Sequence, residues 1–219
     1  MLLDAHCEVT VGWLEPLLSR IKLNRKAVPV PLTGGIDPHD FLYTPGTPYS
    51  YGTFTWSLFF KWGHMPEKVK KRARLMDPYK VPTMCGGLFA SDREFFFEIG
   101  GYDDGMEVWG GENLEMSKLA QNQKQFIIDF LFLGFRVWMC GGMIEYVPCS
   151  HVGHIFRPGH PYNMTGENAL RDVHGWNSAR LAEVWMDDYK VNNSKQTFNT
   201  LINLMIFETR DCIIITDEI

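Results

Sequence analysis

Asp4-Ala5-His6 opens the chain, and Ser150-His151-Val152-Gly153-His154 lies far downstream, with Trp109-Gly110-Gly111-Glu112-Asn113 between them. If the first triplet runs extended, the alternation of side chains along a strand puts Asp4 and His6 on one side. A third ligand such as His154 then closes a site for a divalent ion through two imidazoles and one carboxylate. Such a site obliges the start of the chain to fold against its later half. The donor set suits Mn²⁺, Zn²⁺ or Fe²⁺, and the residue types do not choose among them. Asp-x-His alone is short enough to recur by chance, with the aspartate capping a turn and the histidines merely hydrogen-bonded. The other words of the sequence give it weight.

At 219 residues the chain is long enough for one substantial core. A hydrophobic content of 45% with 21% charged residues is that of an ordinary soluble globular domain. The net charge of −5 argues against a nucleic-acid partner. The densest basic stretch, Lys68 to Arg74, reads as a solvated charged segment, and no interleaved aromatics make it a base-stacking platform. Acidic and polar residues begin at Asp4, so no signal peptide or anchor is expected at the start. The longest apolar run, Phe126 to Leu133, is too short to span a bilayer, so no membrane segment is expected. Five cysteines leave at least one unpaired and do not assign a compartment.

Met1-Leu2-Leu3 reads as the end of a buried strand that delivers Asp4 to its tip. Leu14, Leu17, Leu18 and Ile21 recur at the spacing of one helix face. The Pro/Gly/Tyr-rich stretch from Val28 to Tyr51 reads as turns and short strands. Ser91-Asp92-Arg93-Glu94 has capping-box spacing ahead of Phe95-Phe96-Phe97, and Gly100-Gly101 offers that short helix an end. Met143 to Cys149 alternates too loosely to prove a strand from pattern alone. No internal repeat is visible.

The words taken together resemble the polypeptide N-acetylgalactosaminyltransferases, which start mucin-type O-glycosylation. They are Leu3-Asp4-Ala5-His6-Cys7-Glu8, the stretch from Val11 to Leu18, Pro82-Thr83-Met84-Cys85-Gly86-Gly87-Leu88-Phe89 and Ile99-Gly100-Gly101-Tyr102-Asp103. They continue through Val108-Trp109-Gly110-Gly111-Glu112-Asn113-Leu114-Glu115, Val137 to Gly142, Pro148 to His154, and Ala182 to Lys190. The resemblance covers residues 1–117 and 135–190. It implies an α/β fold, the C-terminal half of a GT-A type nucleotide-sugar transferase domain with an incomplete sheet, and a strand over Met143–Cys149. The exposed sheet edge would invite aggregation. The half that grips the uridine would precede the metal motif and is not recognisable here. Residues 1–190 then form a partial catalytic domain, 118–134 a non-family insertion, and 191–219 a non-family tail. Retained intron sequence would account for both of the latter.

By that resemblance Asp4, His6 and His154 hold Mn²⁺ against the diphosphate of UDP-N-acetylgalactosamine. Ala5 contributes its backbone to the donor, and Gly86 and Gly87 let the main chain approach the sugar, since glycine has no Cβ. Trp109 and Gly110 lie in the sugar and acceptor segment, where Glu112 and Asn113 bond sugar hydroxyls. Arg157 reaches phosphate from a Pro/Gly-rich loop whose His160 and Tyr162 contact the nucleotide. The catalytic base stays unassigned. The implied reaction is retaining transfer of N-acetylgalactosamine to Ser or Thr hydroxyls of proteins in the Golgi lumen. The alternative is a catalytically inactive fragment that keeps the metal site and part of the acceptor surface. In the Golgi lumen, where disulfides form, the resemblance implies that Cys140 and Cys149 pair with segments not recognisable in this sequence. A metal-dependent hydrolase is the least favoured reading, since His-Glu-x-x-His is absent.

Overall fold

The computed structural model describes residues 1–54, 60–71, 74, 76–84, 86–101, 134 and 136–156. Strand β1 (Leu2–Leu3) is followed by a turn and β2 (Cys7–Val9), then helix α1 (Leu14–Leu23) and strand β3 (Ala27–Ile36). Next come β4 (Tyr43–Thr44), the hairpin of β5 (Ser50–Phe54) and β6 (Phe60–His64), and the short helix α2 (Glu67–Lys70). Strands β7 (Tyr79–Lys80) and β8 (Leu88–Phe89), helix α3 (Arg93–Glu98) and strand β9 (Met143–Ile155) complete the described elements. The main sheet has the order β2-β9-β3-β4, with β7 on the same side of β9 as β2. Among the described residues β2 and β4 stand at the two ends of that order.

The centre of the sheet is the parallel pair β3 and β9. The expectation of turns and short strands from Val28 onward is corrected here: Ala27–Ile36 is a ten-residue strand, and its first six residues are all buried. Its two prolines explain both the misreading and the outcome. Alternate residues of a strand present their backbone groups to the same edge. Pro29 accepts at its carbonyl from the Ala90 N–H, on the side away from β9. Pro29 and Pro31 therefore lack donors only along the edge where β9 does not pair, and Val28 and Val30 keep theirs for it. Burial on both faces turns such a strand into a continuous apolar run rather than an alternating one.

Strand β9 is longer than the Met143–Cys149 segment expected of it, and its second half carries the candidate ligand His154. Pro31 pairs with Val147 but Leu32 with His151, so Pro148-Cys149-Ser150 are left over as a bulge. Ser150 turns inward there and donates to the Trp13 carbonyl at 2.6 Å, which ties the start of α1 to the sheet. Cys149 points out as a free, exposed thiol.

Three smaller expectations are also corrected. Leu3 is exposed, because β1 pairs only with the short β8 and does not enter the main sheet. On α1, Leu17 is buried and Ile21 packs beside it, but Leu18 is half exposed, so the covered face is narrower than the spacing implied. Helix α3 is capped by Asp92, not Ser91: the Asp92 carboxylate accepts from the Phe95 N–H at 2.9 Å, and Ser91 turns to the Asp92 carbonyl. The glycine stop holds, with Gly100 and Gly101 both at positive φ. The core joins Val28, Val30 and Leu32 of β3 to Phe89, Phe95, Met84, Ile144 and Tyr146.

Candidate metal centre

Asp4, Ala5 and His6 form the tight turn between β1 and β2 and are not an extended segment, which corrects the strand alternation expected of them. The turn arises because β1 and β2 belong to different sheets, the first paired with β8 and the second with β9. Two backbone contacts fix its ends. The Asp4 N–H donates to the Gly87 carbonyl at 2.9 Å, and the Ile155 N–H donates to the His6 carbonyl at 3.1 Å. Antiparallel pairing sets Cys7 opposite His154. Thr10 then closes β2 onto β9 through its hydroxyl and the His151 carbonyl at 2.8 Å. The start of the chain is thereby carried to the end of β9.

The result brings Asp4, His6 and His154 together, with one ligand atom from each inside a 4.8 Å span. Ligand atoms lie about 2.0–2.2 Å from a first-row ion, so two of them on one ion stand at most about 4.4 Å apart. Small side-chain adjustments therefore suffice to seat an ion. His154 Nε2 faces Asp4 Oδ2 at 3.5 Å, too long for a good N–H···O bond and wide enough for an ion to enter between them. The two side chains are only 15% and 12% exposed, so water screens the carboxylate poorly and a cation is favoured. The His154 ring is held between His6, edge-on at 4.4 Å, and Phe156, tilted at 4.4 Å. His154 Nδ1 is buried without a hydrogen-bond partner among the described residues. The donor set, one carboxylate and two imidazoles, fits Mn²⁺ as it fits Zn²⁺ or Fe²⁺.

Ala5 sits exposed in the turn, between Asp4 and His6. Gly86 and Gly87 lead into β8 beside them, and Gly87 lies directly against the Asp4 carboxylate. Trp109, Gly110, Glu112, Asn113, Arg157, His160 and Tyr162 lie outside the described residues. So do the proposed insertion up to Leu133 and the tail from 191 onward.

Sequence reading passed over the surroundings of His154. A cavity of about 200 Å³ is lined by Thr33 of β3, Thr47, Ser50 and Trp62 of the β5–β6 hairpin, and Tyr146 and Phe156. Phe156 joins it to the candidate ligand His154. Its place two residues after His154 was the available signal, since i and i+2 share a face on a strand. Nothing local marked Trp62 or Ser50. The hairpin is held by the buried Tyr79, whose hydroxyl accepts from the Tyr49 N–H and donates to the Ser50 carbonyl. Burial pushes the Tyr79 phenol up to about 12.

Sheet order and the β3–β9 parallel pair make this an α/β domain, and its likeness to a solved structure places it in the nucleotide-sugar transferase, GT-A type, fold. The crystal structure of GalNAc-T7 with UDP, GalNAc and Mn²⁺ is similar, with a TM-score of 0.68 and 34% identity over 86% of this chain and 32% of that one. A probable N-acetylgalactosaminyltransferase 9 of Caenorhabditis elegans is 52% identical over 189 residues, which is 86% of this chain and 30% of the relative. Human polypeptide N-acetylgalactosaminyltransferase 13 is 48% identical over 190 residues, again 86% of this chain and 31% of the relative. Residues 69–128 match a family model described as the N-terminal domain of galactosyltransferase. Across the stretch these matches cover, the chain belongs to the polypeptide N-acetylgalactosaminyltransferase family. It spans about a third of the length of these relatives.

Proposed function

We propose that this chain carries the metal-holding part of a retaining transferase that moves N-acetylgalactosamine from UDP-N-acetylgalactosamine to Ser or Thr hydroxyls of proteins. The observation that supports it most is the convergence of Asp4, His6 and His154 within 4.8 Å. These three would hold Mn²⁺. When bound, the ion supplies Lewis-acid relief of the charge that builds on a diphosphate leaving group. Ala5 would offer its backbone to the donor and Gly86 its open main chain to the sugar. Glu112 and Asn113 would bond sugar hydroxyls under Trp109 and Gly110, while Arg157 would bond phosphate and His160 and Tyr162 the nucleotide. The base that accepts the Ser or Thr proton is left unassigned. The described walls of the cavity beside Phe156 are Leu32, hydroxyl groups and aromatic rings, which suits an uncharged stretch of acceptor peptide. Golgi lumen is the compartment that goes with this reading. Among the described residues no helix is long and apolar enough to cross a membrane.

Calorimetric titration of UDP into the folded chain, with and without Mn²⁺, tests the proposal. Binding that requires Mn²⁺ is the expected result, and a transferase assay with a Ser/Thr peptide follows from it. Absence of binding by a folded sample, or binding indifferent to the ion, sinks the donor-site reading and favours a non-catalytic chain.

A further inference from the structure

Gly87 has no backbone need to be glycine. Positive φ is confined, among the described glycines, to Gly12, Gly100, Gly101 and Gly141. What Gly87 lacks is room. A Cβ there would fall inside the Asp4 carboxylate, overlapping Oδ2 and Cγ and standing 2.6 Å from Oδ1. The atoms met are the end of the Asp4 side chain, and the Asp4 main chain is held by its N–H on the Gly87 carbonyl, so relief requires the carboxylate itself to rotate away from the place it occupies. The platform beneath is also fixed. Leu3 pairs with Leu88, Leu2 with Phe89, and the Ala90 N–H binds the Pro29 carbonyl of the central strand. Leu88 and Phe89 are both fully buried.

We infer that Gly87 is a positioning residue for the metal carboxylate: its missing side chain is the seat in which the Asp4 carboxylate lies, turned toward His154. This differs from the sugar approach that resemblance implied for it. It rests on the metal reading given above only for its consequence, since the steric seat exists with or without an ion. Its neighbour in function offers a natural comparison. Gly35 stands opposite His154 in the sheet, and a Cβ on Gly35 meets nothing within 4 Å. Two glycines thus flank the same site, one filled by a ligand side chain and one open.

The test compares Gly87→Ala with Gly35→Ala by titration of Mn²⁺ alone, alongside thermal melts. Gly87→Ala should lose at least about 10-fold in Mn²⁺ affinity, the scale on which groups that orient metal ligands act. Gly35→Ala should stay within about 3-fold of the parent, as an open site permits. Parent-like Mn²⁺ binding by Gly87→Ala, or equal losses in both variants, would overturn the inference. Should the parent bind no Mn²⁺, or Gly87→Ala fail to fold, the melts decide through the double variant Asp4→Ala/Gly87→Ala. Removing the carboxylate removes the collision, so Gly87→Ala should lower the melting midpoint in the parent and not in the Asp4→Ala background. An equal drop in both backgrounds rejects the seat. This arm is independent of whether the chain binds metal or nucleotide.

Discussion

Strand β9 carries a buried carboxylate near its beginning and a poorly exposed imidazole near its end, and the surroundings treat the two differently. Glu145 is 3% exposed and accepts two bonds from the Arg20 guanidinium of α1, at 2.7 and 2.9 Å. Donating to the Glu145 carboxylate raises the Arg20 pKa further, so the guanidinium stays charged. Here the fold has satisfied a charge completely. Nine residues along the same strand, His154 faces a carboxylate beyond good hydrogen-bonding distance and keeps a buried ring nitrogen without a hydrogen-bond partner among the described residues. The difference separates two uses of buried polarity. A closed pair ties an element to the sheet, whereas Asp4, His6 and His154 come together as a group that could hold a metal ion.

The comparison can be broken first at the open end. His154→Ala should reduce Mn²⁺ affinity by more than about 100-fold, because a ligand is worth more than the groups that orient it. The same change should move unfolding stability by no more than about 1 kcal/mol, since it also removes an unsatisfied atom. Calorimetric Mn²⁺ titration and urea unfolding read the two effects separately, and a large stability loss would mean His154 is structural. Arg20→Ala tests the closed end. It strands Glu145 in the core and should cost about 2 kcal/mol in urea unfolding, less than a fully buried pair because Arg20 is partly exposed. Its Mn²⁺ affinity should be unchanged. If both variants lose both properties, the two ends of β9 are not separable.

The smallest effect concerns Asp92, which is neither ligand nor core. Its pKa is lowered chiefly by the Phe95 N–H it accepts and then by Arg25, which also bonds Glu98. A folded pKa below the unfolded one means that its contribution is present above the ordinary carboxylate range, near pH 4, and fades as pH falls through the lowered value. Asp92→Asn keeps a capping oxygen and should flatten that acid limb slightly in thermal melts between about pH 2 and 5. An unchanged limb would show that the cap does not couple to stability.

How far these features could be read from residues alone depended on the range of the force involved. The helix stop at Gly100-Gly101, the α1 helix and the cap near Ser91-Asp92 are local, and the sequence located each to within a residue or one face. That Asp4, His6 and His154 come together was also legible, because only a few side chains bind divalent ions and their words are distinctive. The argument offered for their geometry was not. Alternation along a strand does not unite Asp4 with His6, and a turn between two sheets brings them to His154 instead. Phe156 was within reach of the same alternation rule and went unnoticed.

By itself the sequence determined which groups are available: a carboxylate and two imidazoles, glycines at 86 and 87, and prolines at 29 and 31. Only the tertiary structure decided what those groups are for. Proline reads as a strand breaker until the pairing edge is known, and Pro29 and Pro31 are harmless because β9 lies on the other edge. Glycine reads as a flexible turn until its neighbour is known, and the space beside Gly87 is filled by the side chain of Asp4, far earlier in the sequence. Both are statements about what occupies a particular side of the backbone, and that is set by long-range packing, not by local preference.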